Sequence, residues 1–95
     1  TIEPVIPTNF RLVLGQNYPN PAKTFTKIPF SIPRDGNVKF QITDVYGQII
    51  YQEELTLKKG EHIIDFDTQN LENAIYFYSI EYNKSKLSKK MCVQK

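Results

Sequence analysis

Several residue types that usually carry chemistry or crosslinks are scarce in this chain. Its 95 residues contain one cysteine, one histidine and no tryptophan. The lone Cys92 cannot form a disulfide within the chain, and no cysteine or histidine residues have the spacing of a metal site. No apolar stretch approaches the roughly 20 residues of a membrane-spanning helix. The sequence therefore predicts no internal disulfide, no metal or other cofactor, and no insertion into a membrane.

An excess of charge is also lacking. Twelve basic and ten acidic residues give a formal net charge of +2 at pH 7, which is too small to indicate a nucleic-acid partner. The distribution is less even than the total, because residues 83–95 hold five lysines and no carboxylate. This basic segment is either a solvated strand face or a surface that a partner recognises, and the sequence leaves both readings open.

Two groups of residues superficially suggest chemistry. His62 is predicted to share a strand face with Ile64 and Phe66, where a half-buried histidine bonded to the backbone is the common outcome. No serine lies in the G-x-S-x-G context of a nucleophile. Asp65 and Asp67 are two apart on a predicted strand, a spacing of about 6.5 to 7 Å that would suit a glycosidase pair or a cation. Solvated strand carboxylates explain them better, and we expect no enzymatic activity.

Short runs of alternating apolar and polar residues, separated by turn residues, fill most of the chain. The plainest run has Val38, Phe40 and Ile42 on one face. Six or seven such runs recur at a spacing of about 8 to 12 residues, with no helical period, which predicts an all-β protein. We expect an immunoglobulin-like antiparallel β-sandwich of about seven strands. Pro29 cannot donate a ladder hydrogen bond, so its strand should lie at a sheet edge or carry a bulge.

The beginning of the chain differs from the rest. Prolines three apart, Pro4 and Pro7, favour extended geometry, so residues 1–9 are predicted to be a linker from an upstream domain and residues 10–95 one folded domain. A start on threonine instead of methionine suggests a piece of a longer protein. The run Asn17-Tyr18-Pro19-Asn20-Pro21 cannot lie inside a helix or central strand, and it predicts a rigid entrance to the domain.

An ordered series of short motifs resembles a known family. The series is Leu14-Gly15-Gln16-Asn17-Tyr18-Pro19-Asn20-Pro21, Thr26 to Phe30, Pro33-x-x-Gly36, Val38 to Asp44, Tyr46-Gly47, Gly60-x-His62, Ile75-Tyr76-Phe77-Tyr78 and Lys90-Met91-x-Val93-x-Lys95. Over about residues 12–95 it resembles the C-terminal sorting domain of the type IX secretion system, the Por secretion system of Bacteroidetes-type bacteria.

The resemblance implies a function and a set of partners. Such a domain is not the working part of its parent protein. It directs an attached cargo domain across the outer membrane, and a sortase-like peptidase commonly removes it. The implied partners are the type IX translocon, the peptidase and the covalently linked cargo upstream. The implied location is the periplasm in transit, then the cell surface or the extracellular space.

Carried over position by position, the resemblance implies two groups of residues. The residues implied in translocon recognition are Lys90, Met91, Val93 and Lys95. The residues implied at the motif turns and loop are Pro33, Gly36, Gly47 and Tyr76. The family usually has glycine where this chain has Ala74, and a positive φ there would strain the alanine.

The closing segment suggests how such a signal is displayed. Its alternation predicts Leu87, Met91 and Val93 inward and Lys90 and Lys95 outward. We expect the translocon to read a folded surface that includes the terminal lysines and an exposed sheet edge.

Two other functions stay open. The domain could be a carbohydrate-binding or a structural immunoglobulin-like accessory module of a secreted enzyme. Carbohydrate binding would need a flat, exposed aromatic platform from Tyr76-Phe77-Tyr78, but strand alternation buries every second ring.

Overall fold

The computed structural model describes residues 11–95. Seven strands and no helix are found in that part of the chain, so it contains no helical segment capable of crossing a membrane. The strands are β1 (Val13–Leu14), β2 (Phe25–Ile32), β3 (Gly36–Thr43), β4 (Ile49–Leu57), β5 (Gly60–Asp67), β6 (Ala74–Tyr82) and β7 (Ser85–Val93). The predicted linker, residues 1–9, lies outside the described residues.

The strands form two antiparallel sheets that face each other. One sheet has the order β1-β2-β5 and the other β4-β3-β6-β7. In constant-type immunoglobulin domains the fourth strand joins the sheet of the first, second and fifth. Here β4 stays beside β3, and the turn at Lys58 and Lys59 carries the chain between the sheets. The predicted all-β sandwich of seven strands is confirmed.

The core lies between the two sheets and follows the alternation in the sequence. Val38, Phe40 and Ile42 of β3 are fully buried, as predicted. The other buried hydrophobic side chains of the cluster are Leu14, Ala22, Ile28, Phe30, Ile32, Tyr76, Tyr78, Ile80, Met91 and Val93. Burial of the larger of these side chains supplies about 1.5 to 3 kcal/mol each, so the period-2 pattern drives the assembly of the sandwich.

β6 and β7 are joined by a turn of two residues. Asn83 and Lys84 both have positive φ, 49° and 72°. Two positive φ values at the centre of a two-residue hairpin match a type I′ turn, which fits the right-handed twist of the flanking strands. The turn fixes the pairing of Tyr82 with Ser85 and so the register of the whole β6–β7 ladder.

The prediction for Pro29 is wrong, because β2 is the central strand of its sheet. Gly15 N–H donates to Pro29 O at 2.8 Å. Backbone N and O of one strand residue point the same way, so the position of the missing N–H of Pro29 faces Gly15 O. The hydroxyl of Tyr78 donates to Gly15 O at 2.7 Å instead. A side chain from the opposite sheet thus replaces the donor that proline lacks.

Tyr78 joins the two sheets through a second hydrogen bond. Its hydroxyl oxygen accepts from Asn17 N–H at 2.9 Å, while the ring is fully buried between the sheets. Burial raises the pKa of Tyr78, and the hydrogen bond from the Asn17 backbone acts in the opposite direction. The hydroxyl is therefore neutral at physiological pH and available both to donate and to accept.

Leu87 lies on the inner face of the sheet, as predicted, but it is not buried in the core. Leu87 pairs with the buried Ile80 and stands on the same side of the sheet, but 37% of its surface is exposed. β1, the strand of the other sheet nearest β7, is only two residues long. The first six residues of β7, Ser85 to Lys90, are therefore all exposed, and only Met91 and Val93 reach the core.

Replacing Tyr78 by phenylalanine should destabilise the domain. The change keeps the ring but leaves Gly15 O and Asn17 N–H without this partner, and an unpaired buried polar group costs about 1 to 3 kcal/mol. Urea unfolding near neutral pH should show that loss. Tyr46→Phe is the matched control, because Tyr46 is 91% exposed. Equal free energies of unfolding for the two variants would contradict the bridging role of Tyr78.

Candidate functional site

The implied recognition residues lie on β7 and just beyond it. Lys90 is exposed, whereas Met91 and Val93 are fully buried in the core. Met91 pairs with Tyr76 and Lys90 with Phe77 in the β6–β7 ladder. Lys95 follows the strand and is exposed. Only the two lysines are therefore open to a partner of the folded domain, and Met91 and Val93 act through the strand that carries them.

The outer edge of β7 is covered along its second half by residues 16–22, which we call the clasp. Gln16 Nε2 donates to Lys90 O at 2.9 Å. Cys92 N–H donates to Asn20 Oδ1 at 3.1 Å, and Cys92 O accepts from Ala22 N–H at 2.8 Å. Gln94 N–H donates to Ala22 O at 2.9 Å. An edge available to a partner is therefore limited to the first half of β7.

A buried asparagine gives the clasp its shape. Asn17 Nδ2 donates to Thr26 Oγ1 at 2.9 Å and to Pro19 O at 3.3 Å, and Asn17 Oδ1 accepts from Gln16 Nε2 at 2.7 Å. Thr26 Oγ1 also donates to Pro19 O at 3.1 Å. The peptide bonds before Pro19 and Pro21 are cis. Residues 17–21 lie in neither a helix nor a named strand, as predicted from the two prolines and two asparagines, and each polar side chain of this network has a partner.

A second loop holds the end of the described chain. Lys95 N–H donates to Asn73 Oδ1 at 3.0 Å, and Lys95 Nζ donates to Gln69 O. The same loop is fixed to the segment after the clasp, since Thr68 N–H donates to Thr24 O at 3.0 Å and Thr68 is fully buried. Residues 16–22, 68–73 and 90–95 thus meet in one place.

Of the four motif residues, Tyr76 alone pairs with a recognition residue, Met91. Pro33 and Gly36 flank the β2–β3 turn at one end of the sandwich. A Cβ at Gly36 would lie 3.0 Å from Cε1 of Tyr82. Gly36 does not have positive φ, so close contact with an aromatic ring explains the glycine there. Gly47 and Tyr76 lie towards the opposite end, where β3 ends and β6 begins.

Gly47 does have the positive φ that its turn requires. Its φ is 83°, and the turn is held by Asp44, whose Oδ1 accepts from Tyr46 N–H and Gln48 N–H at 2.9 Å. Ala74 is different. It begins β6, pairs with Val93 and does not have positive φ, so the strain considered for this alanine is absent.

Tyr76 forms a feature of immunoglobulin-like sandwiches. Its hydroxyl donates to Glu72 O, four residues upstream, at 2.8 Å. A tyrosine near the start of the sixth strand that bonds to the backbone just before it is the tyrosine corner of such domains. Burial is the main cause that raises the pKa of Tyr76, and the charge of Glu72 adds to it. Tyr76 therefore anchors the loop before β6.

The residues considered for catalysis have structural partners. His62 Nε2 bonds with Lys58 O at 2.7 Å and its ring lies 5.5 Å from that of Phe30, which confirms the half-buried, backbone-bonded histidine. Asp65 accepts from Lys27 Nζ at 2.7 Å, and this hydrogen bond is the main cause that raises the pKa of Lys27. Within residues 11–95 no three potential metal ligands cluster.

The aromatic run of β6 gives no platform for a sugar. Tyr76 and Tyr78 are buried in the core, and Phe77 alone faces outward with 40% of its surface exposed. A stacking site needs two or more coplanar rings in line along a groove. Core packing accounts for this run, as the alternation predicted.

Sequence reasoning missed the clasp. It predicted a rigid segment at residues 17–21 and a strand at residues 87–93, but gave no sign that the two bind each other. The bonded residues are 70 to 74 positions apart, and each of the bonds involves a backbone atom, which every residue has. The one available signal was the pair of side chains Gln16 and Asn20, polar groups that can satisfy an unpaired strand edge.

Comparison with known proteins identifies the family of this chain. A family model described as the secretion system C-terminal sorting domain matches residues 16–94, from the first residue of the clasp almost to the last residue of the chain. A search of curated proteins finds no match. The family is the sorting signal of type IX secretion and is not a catalytic one. Membership implies interaction with that secretion system, a cargo upstream, and export to the cell surface or the extracellular space. The chain belongs to the family of type IX secretion C-terminal sorting domains.

Proposed function

We propose that this domain directs its cargo by presenting β7 and Lys95 as a folded signal that the translocon reads. Lys90 and Lys95 are the charged groups on display, and Met91 and Val93 hold the strand in the sandwich. The observation that carries the proposal is the position of β7 between β6 and the clasp. A strand bonded to β6 along its length and to the clasp over its second half displays its lysines at fixed positions.

The clasp makes the signal dependent on folding. Gln16 and Lys90 are 74 positions apart in the chain and become neighbours only when the sandwich forms. Backbone groups of Cys92 are already used by Asn20 and Ala22. A partner at this part of β7 therefore reads side chains and shape instead of adding a strand. An unfolded chain would not present the same surface.

The remaining steps of export are also part of the proposal. The cargo passes through the periplasm on its way to the outer membrane, with the domain attached. A sortase-like peptidase then separates the domain from its cargo within or before residues 1–9, the linker predicted from Pro4 and Pro7. Cleavage there would leave the sandwich intact, because β1 begins at Val13.

Export of a fused reporter tests the proposed function directly. Residues 1–95 are joined to the C-terminus of a reporter that carries a periplasmic export signal, in a host with type IX secretion. We expect the reporter outside the cell, and the same reporter without residues 1–95 should stay in the periplasm. Cleavage is read from the N-terminal sequence of the released domain. Retention of both reporters would overturn the proposed function.

The separate roles of the core and the displayed charge can be tested at Met91 and Lys95. Met91→Ala creates a cavity and should cost about 2 to 5 kcal/mol, a large share of the roughly 5 to 10 kcal/mol expected for a small domain. We expect it to lower both the urea midpoint and export. Lys95→Gln removes the charge but keeps a polar side chain that can donate a hydrogen bond, and it should lower export while the urea midpoint stays close to that of the unchanged domain.

The result that separates these roles is export of the Lys95→Gln variant. If Lys95→Gln is fully exported, the charge of Lys95 is not read. Loss of export in Met91→Ala would then reflect unfolding of the domain. Lys59→Gln is a suitable control, because Lys59 is another exposed lysine and lies in the turn between β4 and β5. It should be exported like the unchanged domain.

A further inference from the structure

The first half of β7 has a free edge. Both backbone groups of Cys92 point away from β6, towards the clasp. Alternate residues of a strand point their N–H and C=O to the same side, so Lys86, Ser88 and Lys90 also point away from β6. Gln16 is bonded to Lys90 O, and the described bonds of the clasp to β7 go no further towards the turn. The N–H and C=O groups of Lys86 and Ser88 and the N–H of Lys90 therefore face open space in the part of the chain that the structure describes.

This free edge is strongly basic. Lys84, Lys86, Lys89 and Lys90 are all exposed. The ion pairs found among residues 11–95 join Lys27 to Asp65 and Lys58 to Asp35, and involve none of these four lysines. Glu81 is the cross-strand neighbour of Lys86 and offsets part of the charge. The edge still has an excess of positive charge, which favours an acidic partner.

The side chains along the edge differ between the two faces of the sheet. Lys86, Ser88 and Lys90 share the outer face, because they pair with Glu81, Ser79 and Phe77. Leu87 and Lys89 share the inner face with Ile80 and Tyr78, at the part of β7 that the short β1 leaves uncovered. An added strand would therefore meet lysines on one face and a leucine followed by a lysine on the other.

We propose that the β7 edge from Lys86 to Lys90 receives, by strand addition, an extended acidic segment of the type IX translocon. This inference rests on the proposed function and names the chemistry of the partner. The segment places carboxylates against Lys86 and Lys90 on the outer face. On the inner face it places an apolar side chain over Leu87 and a carboxylate against Lys89. Backbone hydrogen bonds at Lys86 and Ser88 and from the N–H of Lys90 supply affinity, and the side-chain pattern supplies specificity.

The opposite edge of the same sheet offers a matched comparison. Cross-strand pairs connect Ser88 through Ser79 and Gln41 to Gln52 of β4, so Ser88 and Gln52 stand in one row at the two edges. Along this row, pairs that exchange backbone hydrogen bonds alternate with pairs that do not. The N–H of Gln52 therefore points outward from the β4 edge, as that of Ser88 does from the β7 edge. The β4 edge carries Glu53 and Glu54 and would repel an acidic segment.

A pair of proline substitutions tests the proposal. Ser88→Pro and Gln52→Pro each remove one outward N–H without removing a donor from the ladder within the sheet. Circular dichroism and urea unfolding establish that both variants fold. In the reporter fusion we expect Ser88→Pro to lower export at least about tenfold, the effect of losing about 1.4 kcal/mol of binding. Gln52→Pro should be exported like the unchanged domain. Equal export of both variants, whether full or lost, would overturn strand addition at β7.

Charge reversal provides a second test that keeps the strand backbone unchanged. The double change Lys86→Glu and Lys89→Glu should lower export, because it places carboxylates where the acidic segment binds. The double change Lys58→Glu and Lys59→Glu alters net charge equally at the β4–β5 turn and should be exported normally. Export of the Lys86 and Lys89 variant at the level of this control would overturn the proposal.

The two proposals fail in different ways. If the unchanged domain exports the reporter but Ser88→Pro and the charge-reversed β7 variant do so equally well, only strand addition is wrong. If the unchanged domain exports nothing, the proposed sorting function is wrong and strand addition by the translocon falls with it.

Discussion

The hydrogen bonds between the clasp and the end of β7 are the interaction on which the displayed surface depends. An edge strand with unpaired backbone groups is open to fraying and to association with other chains. Residues 16–22 satisfy those groups at Lys90, Cys92 and Gln94. They bring the beginning and the end of the domain into direct contact. The matched family model spans almost the same interval, residues 16–94, so its two ends are neighbours in the folded domain.

The clasp depends in turn on contacts that cross between the sheets. Tyr78 comes from the larger sheet, and its hydroxyl bonds to Gly15 and Asn17, the residues on either side of Gln16. Asn17 then orients the loop around Pro19. A core tyrosine, a buried asparagine and the edge of β7 are therefore linked by consecutive hydrogen bonds. Packing inside the sandwich and the shape of the exposed strand cannot be varied independently.

Much of the fold could be predicted from the sequence, because alternation reports directly which side chains face the core. Val38, Phe40 and Ile42 are buried as predicted, and Gly47 and Gly60 have the positive φ that glycine allows in turns. The strand of Pro29 was predicted at a sheet edge because the sequence shows that proline lacks an N–H. It does not show that the hydroxyl of Tyr78 replaces this donor. Leu87 lies on the predicted face but is exposed, because alternation gives the face of a strand residue and not whether another sheet covers that face.

The candidate site was less accessible to sequence reasoning for a related reason. The motifs identified the closing segment, yet its partner at residues 16–22 contacts it through backbone groups and amide side chains, which leave little trace in a sequence. The motif residues that do stand out, Gly36 and Tyr76, turned out to serve packing and loop anchoring. Residues of a recognisable motif can therefore stabilise the fold that carries a signal without being part of the recognised surface.

The turn at Asn83 and Lys84 has a consequence for how the family can vary in length. Strand residues alternate between the two faces of the sheet, and this hairpin sets the pairing of β7 with β6. It therefore determines which residues of β7 face the core. A slip of one residue in the pairing of β7 with β6 would exchange odd for even positions, turning Lys90 towards the hydrophobic interior and Met91 towards water. A slip of two residues would restore the facing. An insertion in this hairpin is therefore compatible with the core when the added residues stay in the loop or move β7 by an even number of positions.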